Sequence, residues 1–367
     1  MILQRQRLVE ILNVLNTAVG NKVMKVADFV QFSIDKDKGK LLISSTDFNA
    51  FLTMDYGEGI NLDETTVPDT FLIPFGKLSS IVKSSTTDDV RFRSKGSVIM
   101  VKTNGDYRFE TWANASDFPS HSFAYQEIGQ WPVPRILSAW NKVSIAVSKD
   151  VTKIAYQGVN YDGNFAATDN RRLSVVRSEE EESSESMLLP LIFGDILKHC
   201  KNIVSVGPTE GKKTVVIVCE EVGLIASVRL LDAEFQDYQR ILSMHEDGVK
   251  VTISKQALLS AASRLSTFTD SLYKVVKISL MNMDNTIYLD LDISHDGGGN
   301  ESIEVESAEI DDPEPGKILE FKYHVDNFVD AIGSVSDPED VSLEFQDRGF
   351  LWINEGQYTH LLTPIVD

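Results

Sequence analysis

The chain has only two cysteines in 367 residues, Cys200 and Cys219, and they do not form a C-x-x-C pair. A disulfide framework is thereby excluded, and both read as buried thiols of a reducing compartment. No apolar run approaches the ~18 residues of a membrane span, and the opening MILQRQRLVE lacks the apolar core of a secretory signal. Positive charge is scarce: 35 Lys and Arg stand against 55 Asp and Glu, a formal net charge of −20. Taken alone, that argues against a phosphate-rich partner, which needs local positive charge, although a field can be divided by face. The motifs of the common chemistries are also missing. There is no Walker-type glycine loop, no H-E-x-x-H and no G-x-S-x-G, and HDGGGN (295–300) does not precede a helix. These absences predict a cytoplasmic, non-enzymatic protein with no cofactor and no membrane partner.

What is present is ordinary in bulk, 42% hydrophobic and 25% charged, and long enough for two or three domains. One stretch is less ordinary. FAATDNRRLSVVR (165–177) begins and ends as a strand but is broken by Thr168, Asp169, Asn170 and two adjacent arginines, Arg171 and Arg172. A similar break, Thr46-Asp47, occurs in LISSTDFNAFLTMD, 122 residues earlier. The interval belongs to a repeat of four events. An amphipathic helix comes first (7–20, 135–148, 256–269), then paired strands. A second helix follows (74–84, 192–202, 322–334), then a hairpin with a turn signal at Asn104-Gly105, Glu221-Val222-Gly223 or Asn354-Glu355-Gly356. The pattern predicts an α+β fold of three repeated domains, 1–124, 125–247 and 248–367, each with two helices packed on antiparallel sheets.

Charge follows the same repeat. Summed over the six predicted helices with their flanking residues (4–20, 74–85, 134–149, 193–203, 254–267 and 321–335) it is +8, in a chain of −20. The acid is concentrated in SEEEESSES (178–186) and ESIEVESAEIDDPEPG (301–316). Surface lysines are common on any helix. A joint positive bias in repeated helices nevertheless predicts a basic track suited to phosphates, and without a base-reading motif it carries no sequence readout. The best metal candidate is DLDISHD, with Asp290, Asp292, His295 and Asp296; its alternation reads as a solvated acidic strand face, so no metal site is expected.

Four segments, in order, resemble the bacterial sliding clamp family, the β subunit of DNA polymerase III. ATDNRRLSVV is similar to A-T-D-G-H-R-L-A, ASDFPS to E-D-F-P, EFQDYQRIL to F-P-D-Y-R-R-V, and the terminal LLTPI to V-M-P-M. The resemblance implies a processivity factor that encircles double-stranded DNA as a head-to-tail homodimer and tethers the replicative polymerase. The clamp loader and other proteins with a short Gln/Leu/Phe-type motif are further implied partners, in the nucleoid. It places a peptide pocket at Tyr156, Thr168, Asn170, Arg171, Arg172, Leu173, Ser243, Leu361, Leu362, Thr363, Pro364 and Ile365. Asn170 stands where the pattern has glycine, Arg171 where it has histidine, Ser243 where it has proline, and Thr363 where a larger apolar residue is usual. DNA contact is implied for Arg7, Lys22, Lys83, Lys142, Lys149, Lys153, Lys198 and Lys201. The dimer interface is implied at Lys77, Ile81, Tyr107, Phe109 and Leu265. The alternatives are a monomeric peptide-binding scaffold and a metal-dependent nuclease using Asp290 and Asp292.

Overall fold

The computed structural model describes residues 1–20, 23–57, 60, 67–110, 115–178, 186–269, 274–294, 297–310 and 315–366. Among these are the six helices that the periodicity predicts and one more. They are α1 (Arg5–Leu15), α2 (Phe75–Ser84), α3 (Val133–Ser144), α4 (Ile192–Leu197), α5 (Tyr238–Leu242), α6 (Lys255–Ser266) and α7 (Val325–Ser334). The apolar stripes turn inward as spacing demands. α1 buries Leu8, Ile11, Leu12 and Leu15, and α6 buries Leu258, Ala261, Ala262 and Leu265.

The ends differ from the prediction for local reasons. α1 gives way to a 3-10 turn at Asn16–Ala18. α4 stops at Leu197 because the next amides turn back three residues, His199 N–H to Ile196 O (3.1 Å) and Cys200 N–H to Leu197 O (3.0 Å). α7 begins late because the strand Gly316–His324 runs up to it. The unforeseen α5 is short and is capped by Asp237, whose carboxylate accepts the Arg240 N–H at 3.1 Å.

The chain divides into two compact units, Met1–Leu137 with Pro190–Leu230, and Ser138–Leu189 with Leu231–Asp367. The first unit holds a four-stranded sheet ordered Ile2–Gln4, Asp89–Lys95, Val98–Lys102, Asp106–Glu110. Its eight-stranded sheet runs Thr70–Pro74, Phe29–Asp35, Lys40–Thr46, Ala50–Asp55, Leu224–Arg229, Thr214–Cys219, Ile203–Pro208, Gly129–Pro132. Residues 121–128, at the predicted first boundary, lie along this sheet's last strands, with Gln126 and Ile128 amides donating to Pro208 and Val206 carbonyls at 3.0 and 2.9 Å. The approach requires a glycine opposite: a Cβ on Gly207 would sit 1.9 Å from Gln126 O. Both cysteines are buried and free in this unit, and burial pushes the Cys200 thiol well above its ordinary range.

The second unit holds a nine-stranded sheet ordered Met187–Pro190, Gly158–Tyr161, Phe165–Thr168, Arg172–Val176, Tyr358–Leu362, Leu351–Glu355, Asp340–Phe345, Val249–Ser254, Ser307–Glu309. Its four-stranded sheet runs Gly299–Glu304, Thr286–Ile293, Val275–Met283, Gly316–His324. Residues 125–247 thus contribute to both units, because each large sheet is continuous where two repeats meet.

The two Thr-Asp turns explain that continuity. In both, the threonine hydroxyl donates across the turn, Thr46 Oγ1 to Ala50 O (2.7 Å) and Thr168 Oγ1 to Arg172 O (2.6 Å). In both, the aspartate Oδ1 accepts two consecutive amides, Asn49 and Ala50 at 2.8 and 2.7 Å, Arg171 and Arg172 at 2.9 and 3.1 Å. The middle residue is left-handed in both, Phe48 at φ 71° and Asn170 at φ 75°, so asparagine serves in the glycine position of the family pattern. The strand after each turn then pairs antiparallel with the last hairpin strand of the following repeat. Ala50–Asp55 joins Leu224–Arg229 through Leu52↔Ala226, and Arg172–Val176 joins Tyr358–Leu362 through Leu173↔Leu361. In the third repeat Gly299–Glu304 takes the place of Ala50–Asp55 and Arg172–Val176, pairing antiparallel with Thr286–Ile293, and no strand lies beyond it among the described residues.

A buried polar chain lies at the second seam. Ser174 Oγ is 2.5 Å from His360 Nδ1, Tyr358 OH is 3.1 Å from the same nitrogen, and Ser334 Oγ is 2.7 Å from Tyr358 OH. Complete burial, aided by the charge of Arg172, depresses the His360 imidazole from 6.5 to about 3. The folded-state value lies below the unfolded one, so stability is intact above pH 6.5 and is lost as pH falls from there toward 3. We expect the unfolding free energy to fall with a one-proton slope, about 1.4 kcal/mol per pH unit, attributable to this residue. Denaturant titrations at pH 7, 6 and 5 check it: His360→Gln should have the shallower dependence, and an unchanged slope would refute the assignment.

Candidate functional site

The second Thr-Asp turn presents its two arginines in opposite directions. Arg172 turns inward, 7% exposed, with Nε 3.0 Å from Asp169 Oδ2 and Nη1 2.8 Å from Asp330 Oδ2 on α7. Arg171 turns outward and is exposed, and its guanidinium makes no ion pair among the described residues. Its backbone carbonyl accepts both the amide and the hydroxyl of Thr363, each at 2.9 Å, while the Ile365 N–H donates to Lys322 O at 2.7 Å. The C-terminal segment is therefore pinned on two sides and forms a wall.

Between that wall and α7 lies a cavity of about 210 Å³. Arg171, Leu362, Thr363, Pro364 and Ile365 line it, all of them predicted site residues; Tyr323, His324 and Asn327 complete it and were not predicted. Tyr323 is buried at the cavity's base, and its OH donates to Gly349 O at 2.8 Å. Gly349, at φ 81°, carries no Cβ because one would stand 2.6 Å from Phe321 Cδ1 and 3.0 Å from Pro364 Cβ. Burial lowers the His324 imidazole, the Arg171 charge adds to that, and Asp326 opposes it.

The other predicted pocket residues do not line this cavity. Leu173 and Leu361 face each other across the seam in an apolar cluster with Ala166, Tyr238 and Trp352. Thr168 and Asn170 build the turn, Tyr156 OH donates to Gln236 at 3.3 Å, and Ser243 Oγ donates to Arg240 O at 2.8 Å.

The predicted basic residues differ in how available their charges are. Lys142 is tied to Glu355 at 2.5 Å and lies 4.9 Å from the Tyr358 ring centre, its side chain 18% exposed. Glu355 also accepts the Ser336 and Asp337 amides, so this lysine closes a structural junction. Arg7 donates to Tyr56, Asp55 and Val222 carbonyls and pairs with Glu10, and Lys198 pairs with Asp195 at 2.7 Å. Lys83, Lys149 and Lys201 are exposed with no ion pair among the described residues, and Lys153 is exposed 6.0 Å from the Tyr156 ring. Lys22 lies outside the described residues.

A groove of about 460 Å³ runs between α2 and the edge strand Asp106–Glu110, lined by Lys77, Ser80, Ile81, Tyr107, Arg108 and Phe109. Four of the five predicted interface residues meet there. The fifth, Leu265, is 3% exposed and packs into its own core, whereas Phe268, one turn further along, is 46% exposed. Both Leu265 and Phe268 side chains flank Gly299, the first residue of the edge strand Gly299–Glu304. That strand carries Glu301, paired with Arg264, and Glu304. The alternation of Thr286–Ile293 leaves Asp290 and Asp292 half-buried between the buried Leu289, Leu291 and Ile293. Among the described residues no cluster of three or more potential metal ligands occurs, and His295 and Asp296 lie outside them. No described helix is long and apolar enough to cross a membrane.

No family model matches the chain. A curated relative, the beta sliding clamp of Synechococcus elongatus, is 23% identical over 251 residues, covering 64% of this chain and 66%, just under two thirds, of that protein. Among solved structures, the DNA polymerase III subunit beta of Pseudomonas aeruginosa superposes with a TM-score of 0.84 at 19% identity, covering 100% of this chain and 99% of that one. The beta subunit from DNA polymerase of Streptococcus pyogenes gives 0.85 at 15% identity with the same coverage. The chain has the α+β fold of the bacterial DNA polymerase III beta sliding clamps, as the sequence resemblance implied.

Proposed function

We propose that the protein is a non-catalytic sliding clamp, two copies of which close head to tail around duplex DNA. The observation that carries this is the seam rule. Twice within the chain, the last hairpin strand of one repeat pairs with the preceding repeat's sheet. The last hairpin strand of the first repeat, Asp106–Glu110, ends its sheet with no strand beyond it among the described residues, and at the other end of the series Gly299–Glu304 does the same. A second copy supplies the missing partner to each, and such head-to-tail contacts form a ring when the rotation closes. Residues 1–124, 125–247 and 248–367 are then the three repeats of each copy.

The relatives are named as sliding clamps, which supports the same reading. The available charges of Lys83, Lys149, Lys153 and Lys201 supply non-specific phosphate contact. The cavity beside Arg171 takes a short peptide from a polymerase, clamp loader or other replication partner, by an apolar floor and a polar rim. The ring reading is tested by light scattering and by loading onto nicked circular DNA. We expect the mass of two 40.9 kDa chains and retention on the circle that is lost when the DNA is linearised. A single-chain mass would favour the monomeric scaffold, and equal retention on linear DNA would sink topological binding.

A further inference from the structure

The four-stranded sheet of the first unit has a solvent face whose cations find no counterpart inside the protein. Its inward residues, among them Val90, Phe92, Ile99 and Val101, are apolar and buried, so the alternation of each strand sends the opposite set outward. That set holds Arg91, Arg93, Lys95, Lys102 and Arg108, all exposed. Its acids, Asp89, Asp106 and Glu110, stand at the strand ends and leave the face net positive in a chain of −20. The register puts Arg91 directly opposite Lys102, and Met100 between Arg93 and Arg108. Like charges directly opposite weaken a sheet, and none of the five cations has an ion pair among the described residues. The four-stranded sheet of the second unit is arranged otherwise. There Lys277 stands 4.0 Å from Asp292 and 3.9 Å from Glu320, and Lys317 stands 3.3 Å from Glu320. A local rule broken on one face, with no gain inside the fold, marks a surface that serves a partner.

We infer that this face docks an acidic segment of another protein, with a large apolar side chain seated on Met100 and carboxylates to either side of it on Arg91, Arg93 and Lys102. Arginine forks hold planar carboxylates or phosphates through paired hydrogen bonds. The middle of the face decides between the two. Met100 and Val98 are half-buried and apolar, and a thioether chain adapts its shape to an apolar side chain laid on it. A nucleic-acid strand calls instead for rings on which its bases stack, and the rings of the edge strand, Tyr107 and Phe109, line the groove against α2. In an extended segment, residues i and i+2 share a face about 6.7 Å apart, the interval that also separates Arg91 from Arg93 along their strand. An alternation of acid, apolar and acid on that face therefore sets one large side chain between carboxylates. Opposite charge draws such a segment to this sheet while the rest of the acidic chain repels it. Arg91, Arg93 and Lys102 lie on the two inner strands of the sheet, so docking leaves the Asp106–Glu110 edge free to pair and does not depend on the ring.

The test uses the full chain and three fluorescein-labelled probes in anisotropy titrations. The first is the peptide Gly-Glu-Ser-Glu-Ser-Leu-Ser-Glu-Ser-Glu-Gly, and the second has alanine in place of its leucine. The third is a single-stranded oligothymidylate with an equal number of negative charges. We expect the leucine peptide to bind about five-fold tighter than the alanine peptide, and tighter than the oligothymidylate. Arg91→Glu combined with Arg93→Glu should weaken it by about ten-fold or more. The thermal midpoint should not fall, because a glutamate opposite Lys102 turns a repulsion into an attraction. The same variant should keep the mass of two chains and its retention on nicked circles, which separates this inference from the ring reading. Lys149→Glu combined with Lys201→Glu should leave peptide affinity within about two-fold of the parent. Peptide binding that survives the first pair of changes and is lost with the second would overturn the inference. Equal affinity for the leucine and alanine peptides would remove the seat on Met100 and overturn it as well. Oligothymidylate that binds tighter than the peptide, and is lost with Arg91 and Arg93, would replace the acidic segment with a nucleic-acid strand. No binding of the leucine peptide would remove the inference outright, whatever the ring measurements give.

Discussion

Phe268→Asp combined with Ile81→Asp will leave a folded single chain that no longer stays on circular DNA. Phe268 is 46% exposed at the end of α6, and its ring lies beside the first residue of the edge strand Gly299–Glu304. Ile81 is half-buried and lines the groove against Tyr107 and Phe109 at the other free edge. Neither belongs to its unit's core, so aspartate at either leaves the monomer's packing intact. Closure would bury both beside backbone pairing of the two edges, and a carboxylate placed there loses its water without gaining a partner. The penalty is about 3 kcal/mol or more for one unpaired buried charge, roughly a hundred-fold in dimer dissociation constant. Light scattering reads the mass, circular dichroism the fold, and nicked-plasmid retention the ring. A variant that keeps the mass of two chains and its retention would show that the ring does not close through these edges.

The limits of the sequence follow the range of the interactions. The Thr-Asp turns are legible because every bond that makes them lies within four residues. The stripes of α1 and α6 are legible because burial acts on a fixed period. The seam partners are not. Leu52 meets Ala226, and Leu173 meets Leu361, across intervals that no local pattern encodes. Lys142 reads as one charge of a basic helix, but its partner Glu355 lies 213 residues on. At the cavity, the resemblance located the C-terminal wall and Arg171. It did not locate Tyr323, His324 and Asn327, because their segment reads only as part of the predicted helix 322–334. Their role appears once Thr363 is fastened to the Arg171 carbonyl. Leu265 shows the same limit in reverse: a helical period cannot say whether a late apolar residue faces its own core or a neighbour, and here Phe268 is the outward one.

Of the paired arginines, Arg172 should prove structural and Arg171 dispensable for folding. Arg172 spans two carboxylates, one in its own turn and one on α7, with a side chain only 7% exposed. Asp169 needs that cation because its other oxygen already holds the Arg171 and Arg172 amides. Arg172→Ala leaves Asp169, 17% exposed, without its countercharge, a loss of about 3 kcal/mol and a thermal midpoint several degrees lower. Arg172→Lys should recover only part of this, since an ammonium cannot reach both carboxylates with the geometry of a planar fork. The damage also propagates. The turn that Asp169 organises presents the Arg171 carbonyl, and that carbonyl holds the Thr363 amide and hydroxyl. Loosening the turn frees the C-terminal wall, so the Arg172→Ala chain should lose both peptide affinity and exchange protection at the Thr363 amide. Arg171→Ala changes an exposed side chain and keeps the carbonyl, and its stability should stay within about 0.5 kcal/mol of the parent. Hydrogen exchange and thermal melts on the two variants separate the roles. Equal destabilisation by both would mean that the turn is held by something other than the clasp between Asp169 and Asp330.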